Sequence, residues 1–378
     1  MARTIVPRNK TNQPTGANMF KIVRAPLIGA ALALSWAGAL HAQDPLEISI
    51  LAPNAIGDVG WDHEIYRGKE VLEKRFGDKV KVAVVDSVGE GPNATRAMNR
   101  LVANGTDVLI LGGFGHMSDG LTLAKRSPDL KVLHIGGYQN LPNFATFTVR
   151  HYQASYLCGM AAGYATQNGQ LGVVAAFPLP EVLGILNAYV LGAQSVNPDL
   201  KPVKVVWLNA WYDPPRDRAA AESLISQGSD VVYSLFPGTP SAVATAEEKG
   251  VYAVTTLSDN SAHAPTKHLC AGQADFGVVY GNVVQSVFDE NFEGKDTFAG
   301  VTEGAMQVAG LSKDLTDEQR AAIMAKQEEM RAGTFEPFTG PVTNNTGSEA
   351  IAAEKVLSSA EIKSMDFLVD GIDAQLNK

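Results

Sequence analysis

Val205 to Arg216 reads V-V-W-L-N-A-W-Y-D-P-P-R. The β-branched and apolar run Val203 to Leu208 has the character of a buried strand. Asp213-Pro214 then supplies an N-cap residue followed by proline at the first helical position. The helix expected next, Arg216 to Gln227, carries Ala220, Leu224 and Ile225 on its inner side. Trp211 and Tyr212 therefore stand on a strand-to-helix loop, where open α/β sheets hold their ligands. Two readings of Trp211 remain open: it covers the end of its own sheet, or it offers a platform to a flat ligand.

Working outward, the same alternation recurs on both sides. Towards the N-terminus, strands are expected at Leu46–Ala52, Lys79–Asp86, Asp107–Leu111 and Lys131–Ile135. Helices lie between them, ending near Phe76 and over Asn93–Asn104 and Leu121–Lys125. The pattern restarts with an extended Phe144–Val149 and a long helix, His151–Thr166. Strands follow at Leu171–Phe177, Val231–Leu235, Val251–Thr255 and Leu269–Gly272, with helices Pro180–Ser195, Ser241–Lys249 and Ala274–Phe288. A strand near Gly300–Glu303 and a charged helix, Thr316–Arg331, complete the regular part. Strand–helix alternation at this spacing means parallel sheets covered on both faces. Two sets of similar size, with no Pro- or Ser-rich linker between them, imply two similar lobes.

The chain of 378 residues is 45% hydrophobic and 19% charged, which suits two globular domains. Lys21 and Arg24 followed by the apolar Ala25–Leu40 have the form of a secretory leader over residues 1–42. Met19 is the expected initiator, and cleavage is expected after Ala39 or Ala42. Those 42 residues hold five basic and no acidic groups, so removing them takes the net charge from −9 to −14. Such an acidic chain argues against nucleic acid as a partner. No cysteine lies at the cleavage site, so a free periplasmic protein is expected rather than a lipoprotein. Cys158 and Cys270, the only cysteines, are expected as two buried free thiols, although an oxidising compartment would permit a bridge.

The chemistry collects in the loops after the strands. Asn54–His63 reads N-A-I-G-D-V-G-W-D-H and brings Trp61 to a helix mouth; Phe114 and His116 sit in a glycine-rich turn. Glu181 stands at a helix N-terminus, and Asp259 and Asp275 follow later strands. A flat ring between Trp61 and Trp211, one from each half, would be held by stacking and apolar burial. Glu181, Asp259 and Asp275 would accept hydrogen bonds from its nitrogens or from a sugar. The plain alternative for each acid is a helix cap or a surface charge, and for Asp275, directly before a helix, the cap is the stronger expectation. His63 and His116 are expected to be polar surface. Gly113-Phe114-Gly115 lacks a correctly placed third glycine for a dinucleotide fingerprint. No zinc spacing and no nucleophile–base pair emerges, so neither metal, cofactor nor catalytic residue is expected.

Several segments together resemble the basic membrane protein family of substrate-binding proteins that feed ABC transporters, some of which bind purine nucleosides. They are G-D-V-G-W, L-G-G-F-G-H-M, R-H-Y-Q-A-S-Y-L-C-G, L-G-A-Q-S-V-N-P-D, N-A-W-Y-D-P, Ser258-Asp259 and P-F-T-G-P. The resemblance implies a type I periplasmic-binding-protein fold: two doubly wound α/β lobes with parallel sheets, joined by three crossings. Its expected division is 46–148 plus 264–299 for lobe 1 and 149–263 plus 300–378 for lobe 2. It places aromatic stacking on Trp61 and Trp211, with Phe114 nearby, and polar ligand contacts near Glu181, Asp259 and Asp275. This chain departs from the family at Gln273, where a lysine is usual nearby, and at Leu257-Ser258-Asp259, where Asp-Ser-Asp is common. Losing two polar groups suited to a ribose favours a free base over a nucleoside, and the forms N-A-W-Y-D-P and P-L-P-E resemble members that hold a purine base such as adenine.

The leading expectation is thus a monomeric periplasmic binding protein that delivers a purine to an ABC permease and performs no chemistry. A sugar or other small polar nutrient is the alternative ligand, although these loops are poor in the Asp, Asn and Arg that sugars favour. A nucleoside-cleaving enzyme using Glu181 or Asp259, and a sensing module for a membrane receptor, stand further back.

Overall fold

The computed structural model describes residues 44–376 apart from Pro237. The expected leader, with Met19 and both cleavage points, lies outside the described residues.

The first half runs β1 (Leu46–Leu51), α1 (Trp61–Phe76), β2 (Val80–Val85), α2 (Pro92–Ala103), β3 (Val108–Leu111), α3 (Met117–Arg126), β4 (Lys131–Ile135) and β5 (Phe144–Val149). β3 reads V-L-I-L and is buried along its whole length, as a central parallel strand with helices on both faces must be. The chain then crosses to a second set: α4 (His151–Ala165), β6 (Leu171–Ala175), α5 (Pro180–Val196), β7 (Val203–Trp207) and α6 (Pro214–Ser226). That set continues through β8 (Val231–Leu235), α7 (Ser241–Lys249), β9 (Tyr252–Leu257) and β10 (His268–Ala274). It crosses back for α8 (Phe276–Phe288) and β11 (Asp296–Ala299). A third crossing leads to β12 (Met306–Ala309), α9 (Asp317–Arg331), the small hairpin β13 (Val342–Thr343) and β14 (Glu349–Ile351), α10 (Ser359–Lys363) and β15 (Ile372–Asp373).

The strand order is β11-β5-β4-β3-β1-β2 in the first sheet and β12-β10-β9-β8-β6-β7-β15 in the second. Only β12 runs antiparallel to its neighbour in these two sheets, among the described residues. Both sheets are doubly wound, as the type I fold requires. Each reverses its winding at one point, between β1 and β3 in the first sheet and between β6 and β8 in the second. Ligand crevices open at such reversals.

Two expectations about the later chain are corrected. The segment from residue 264 through Ala274 was assigned to lobe 1, but β10 pairs with β9 and β12 in the second sheet, so the crossing falls after Ala274. Gly300–Glu303 is a turn rather than a strand; the pairing residues lie on either side of it, in β11 and β12. An edge strand four residues long carries little periodicity, and only its long-range partner identifies it.

The thiols are not free. Cys158 on α4 and Cys270 on β10 form a disulfide with Cα atoms 5.5 Å apart, within the usual span of such a bridge. α4 lies across the second sheet with nearly its whole circumference buried, which brings residues 112 apart in sequence face to face. The helix also packs closely on α5. A Cβ at Gly159 would stand 2.0 Å from the Tyr189 carbonyl oxygen, and one at Gly192 2.0 Å from that of Tyr156. Only glycine permits that approach.

The C-terminal segment braces the hinge region. α10 rests on α5, β15 extends the second sheet beside β7, and Asn187 Nδ2 donates to the Phe367 carbonyl. From α10, Lys363 reaches Asp296 on the first sheet's edge strand at 2.5 Å. Arg150, at the first crossing, lies 4.3 Å over the Phe298 ring and donates to Ser359 Oγ.

Candidate functional site

Gly60 adopts a φ of 88°, open to glycine at little cost, and turns the chain into α1. The loop before it is folded by Asp62, whose two carboxylate oxygens accept from the backbone N–H and the side-chain amide of Asn54, each at 3.0 Å. Trp61 follows directly and is fixed on several sides. Its indole Nε1 donates to the Gly112 carbonyl at the end of β3, at 2.8 Å. Phe276 packs edge-on at 5.2 Å between centroids, and Phe236 of the other lobe at 6.3 Å.

In the second lobe, Asp213 caps α6 by accepting from Arg216 N, as its position before two prolines predicts. Ala220 and Leu224 are buried and Ile225 half-buried beneath that helix. Trp211 keeps 47% of its surface exposed. Its ring tilts over Phe177 at 4.9 Å and meets Phe236 edge-on at 6.4 Å. Its own carbonyl accepts from Gly238 N at 2.7 Å, so the loop backbone is pinned while the ring keeps one side open.

Phe236 was missed as a site residue, and it joins the two tryptophans. It follows β8 at the second sheet's winding reversal, is buried, and holds a φ of 60°. That left-handed conformation costs a non-glycine residue about 1 kcal/mol or more, and such strain persists where surrounding packing enforces it. The usable signal was its place on the strand-to-helix loop at the reversal point, opposite the loop that carries Trp61.

Glu181 lies on the first turn of α5, within 3.8 Å of His151 Nε2. His151 is buried, packs edge-on to Phe236 at 5.2 Å and leaves Nδ1 without a partner. Burial pushes this imidazole down to about 3, so it is neutral at physiological pH. Desolvation by the surrounding protein pushes the Glu181 carboxyl up to about 7, opposed by the Lys363 charge. The side chain nevertheless keeps 41% of its surface open. That exposure lets solvent screen the charge and moderates the shift.

Asp275 precedes α8 but makes no cap hydrogen bond through its side chain. It adjoins Phe276 and lies within electrostatic reach of Glu64 on the first turn of α1. Glu64 is buried, pairs with Arg67 at 2.6 Å and leaves Oε1 unpartnered. The structure therefore draws Trp61, Trp211, Glu181 and Asp275 around one aromatic cluster.

Two expected residues have other neighbours. Phe114, on the turn after β3, is exposed and packs with the exposed Tyr138, 6.2 Å away. Asp259 Oδ1 accepts from Ser261 N and faces His268 at 3.8 Å. Its neighbour Ser258 turns inward instead, and its Oγ accepts from Gly60 N across the lobes at 2.6 Å. Beside this contact, Asp58 accepts from His263 Nε2 at 3.1 Å. A cavity of about 10 Å³, room for one water, lies along the same seam between Gly60 and the side chains of Ser234, Thr239, Thr255, Thr256 and Asn260. His116 is not polar surface. It is buried, with Nε2 donating to the Val88 carbonyl and Nδ1 accepting from Gly113 N, so it shapes the glycine-rich turn from beneath. Among the described residues no cluster of metal-ligating side chains occurs.

Residues 46–335 match the Bmp family model, described as ABC transporter substrate-binding protein PnrA-like. The chain belongs to this family. A purine-binding protein of Brucella abortus is 31% identical over 90% of this chain and 96% of its own length. A protein of Haloferax volcanii named for glucose binding in an ABC transporter is 27% identical over 85% of this chain and 78% of its own. Among solved structures, an ABC transporter solute-binding protein of Conexibacter woesei superposes with a TM-score of 0.65 at 18% identity. It covers 77% of this chain and 98% of that one. The Bmp protein described here is thus a substrate-binding protein of an ABC transporter, a class that binds small molecules and hands them to a permease. No helix among the described residues is long and apolar enough to cross a membrane.

Proposed function

We propose that this Bmp protein captures a purine, as the free base or a nucleoside, between its lobes and delivers it to its permease. The observation that carries the reading is the continuous aromatic cluster Trp61–Phe236–Trp211, drawn from loops at both winding reversals. A flat heteroaromatic ring gains both apolar burial and stacking there. Asp275 and the unpaired carboxyl of Glu181 line the wall and supply hydrogen bonds to ring nitrogens. Acidic walls suit a neutral, donor-rich ligand and repel a phosphate, which excludes nucleotides. The purine-binding relative supports the same ligand class. Lobe closure uses the Gly60–Ser258 and Asp58–His263 contacts as its seam. The leader-like N-terminal sequence supports export to the periplasm, and we take the working unit to be a monomer that catalyses nothing.

Glucose or another sugar is the second reading, favoured by the Haloferax volcanii relative. A thermal-shift screen of refolded protein against purine bases, nucleosides, pyrimidines, sugars and amino acids separates the two. Refolding removes any ligand carried through purification. Purines alone should raise Tm, and the rise should grow with concentration as linkage requires. A rise with sugars and none with purines refutes the purine reading. Release of free base from a nucleoside during incubation would instead reveal an enzyme.

A further inference from the structure

Glu181 and Asp275 are the two acids at the aromatic cluster whose carboxyls form no hydrogen bond to protein among the described residues, while Asp259 is spent on Ser261. Glu181 is the one of the two that faces a buried imidazole. Three groups surround it. From α4, His151 faces it at 3.8 Å, is almost wholly buried, and carries an unpartnered Nδ1. From α10, Lys363 lies within electrostatic reach, its ammonium already paired with Asp296 at 2.5 Å. Arg150, next to His151 in sequence, is turned away onto Phe298, Tyr152 and Ser359. The carboxyl thus stands at the aromatic cluster without a committed partner or a committed charge.

A carboxyl group offers two different faces to a ligand. As the neutral acid it presents one O–H donor beside one carbonyl acceptor. This complements an amidine-type edge, in which an N–H lies next to a bare ring nitrogen, as in adenine. As the carboxylate it presents two acceptors and complements an edge with two adjacent N–H donors, as in guanine. Building on the purine reading, we propose that Glu181 is the specificity-determining residue of this site, and that its protonation selects between these two kinds of ring edge. Desolvation by the surrounding protein raises this carboxyl, up to about 7, and solvent at its open side moderates the rise, so both forms are accessible across the mildly acidic to neutral range. His151, held neutral by burial, adds no competing titration in that range.

The signs follow from linkage. A ligand that binds the neutral acid takes up a proton on Glu181. Its affinity is full below the carboxyl's free pKa and falls by up to about tenfold per pH unit above it. A two-donor ligand binds the carboxylate, so its affinity is full above that pKa and falls as pH drops through it.

The test is equilibrium binding of adenine, guanine and their nucleosides to refolded full-length protein, from about pH 5.5 to about pH 8.5. Wild type and Glu181→Gln are compared after unliganded melting curves show that both fold. The amide copies the acid's donor–acceptor face but cannot titrate. Opposite pH slopes for the adenine and guanine series in wild type, with a flattened adenine profile and weakened guanine binding in E181Q, are expected. Parallel profiles, or profiles that E181Q leaves unaltered, overturn the proposal while leaving a purine site in place. Failure of every purine to bind the folded protein at any pH removes the purine reading itself.

Discussion

The two tryptophans of the cleft are held in opposite ways. Trp61 is locked by a hydrogen bond from its indole nitrogen to Gly112 and by two phenylalanine edges. Trp211 is nearly half exposed, and among the described residues no hydrogen bond fixes its indole nitrogen. Its backbone is tied down through Gly238, and its ring is held by aromatic contacts with Phe177 and Phe236 alone. One lobe therefore presents a ring fixed by a hydrogen bond, and the other a half-exposed ring held by aromatic contacts alone. A locked wall lowers the ordering cost of binding; a free ring permits entry and release. Phe236, strained and buried, packs edge-on against both.

Substitutions sharpen this contrast, and the largest effect belongs to the locked ring. Trp61→Ala removes packing from Phe276 and Phe236 and leaves the Gly112 carbonyl unpaired. It should cost about 3 kcal/mol of unfolding free energy together with most of the ligand affinity; chemical denaturation with and without purine reads both. Intact stability would place Trp61 on the same footing as Trp211 and dissolve the comparison. Next comes the frame of the second lobe. Replacing Cys158 and Cys270 with serine opens a link across 112 residues and should cost about 2–4 kcal/mol, visible as a lower Tm that reduction of wild type reproduces. Trp211→Ala should leave the unliganded melting curve nearly unchanged and weaken ligand binding by about 1–3 kcal/mol, the worth of one stacked base. A large fall in unliganded stability would return Trp211 to a role as cover for its sheet. The smallest effect belongs to the seam. Asp58 is well exposed, so Asp58→Asn should weaken affinity less than about fivefold, and less still at high salt.

Much of the frame is legible in the chain itself. Phe144–Val149, Val231–Leu235 and Ser241–Lys249 form elements with the expected bounds. Their burial pattern and the turn residues beside them are local properties. The Asp213-Pro214 cap and the loop position of Trp211 are legible for the same reason. What stayed hidden depends on partners far along the chain. β10 could not be assigned to its sheet without β9 and β12, and the disulfide needed α4 laid across that sheet. Ser258 and Asp259 find their partners in Gly60 and His268, both distant in sequence, after Leu257 turns the chain out of β9 at a φ of 77°. Phe236 was hidden because its strained backbone turns an ordinary strand-end phenylalanine into the link between lobes. His116 looked like loop surface because nothing local reveals that the glycine turn folds over it.

The most direct test is a tryptophan fluorescence titration of the refolded protein with adenine, run on wild type, Trp61→Phe and Trp211→Phe. A ring stacked at the lobe interface should quench wild type saturably, and Trp211→Phe should lose most of that change while still binding by calorimetry. Binding that leaves the fluorescence unaltered in wild type, or a quench that survives in both variants, would contradict a ligand held between Trp61 and Trp211.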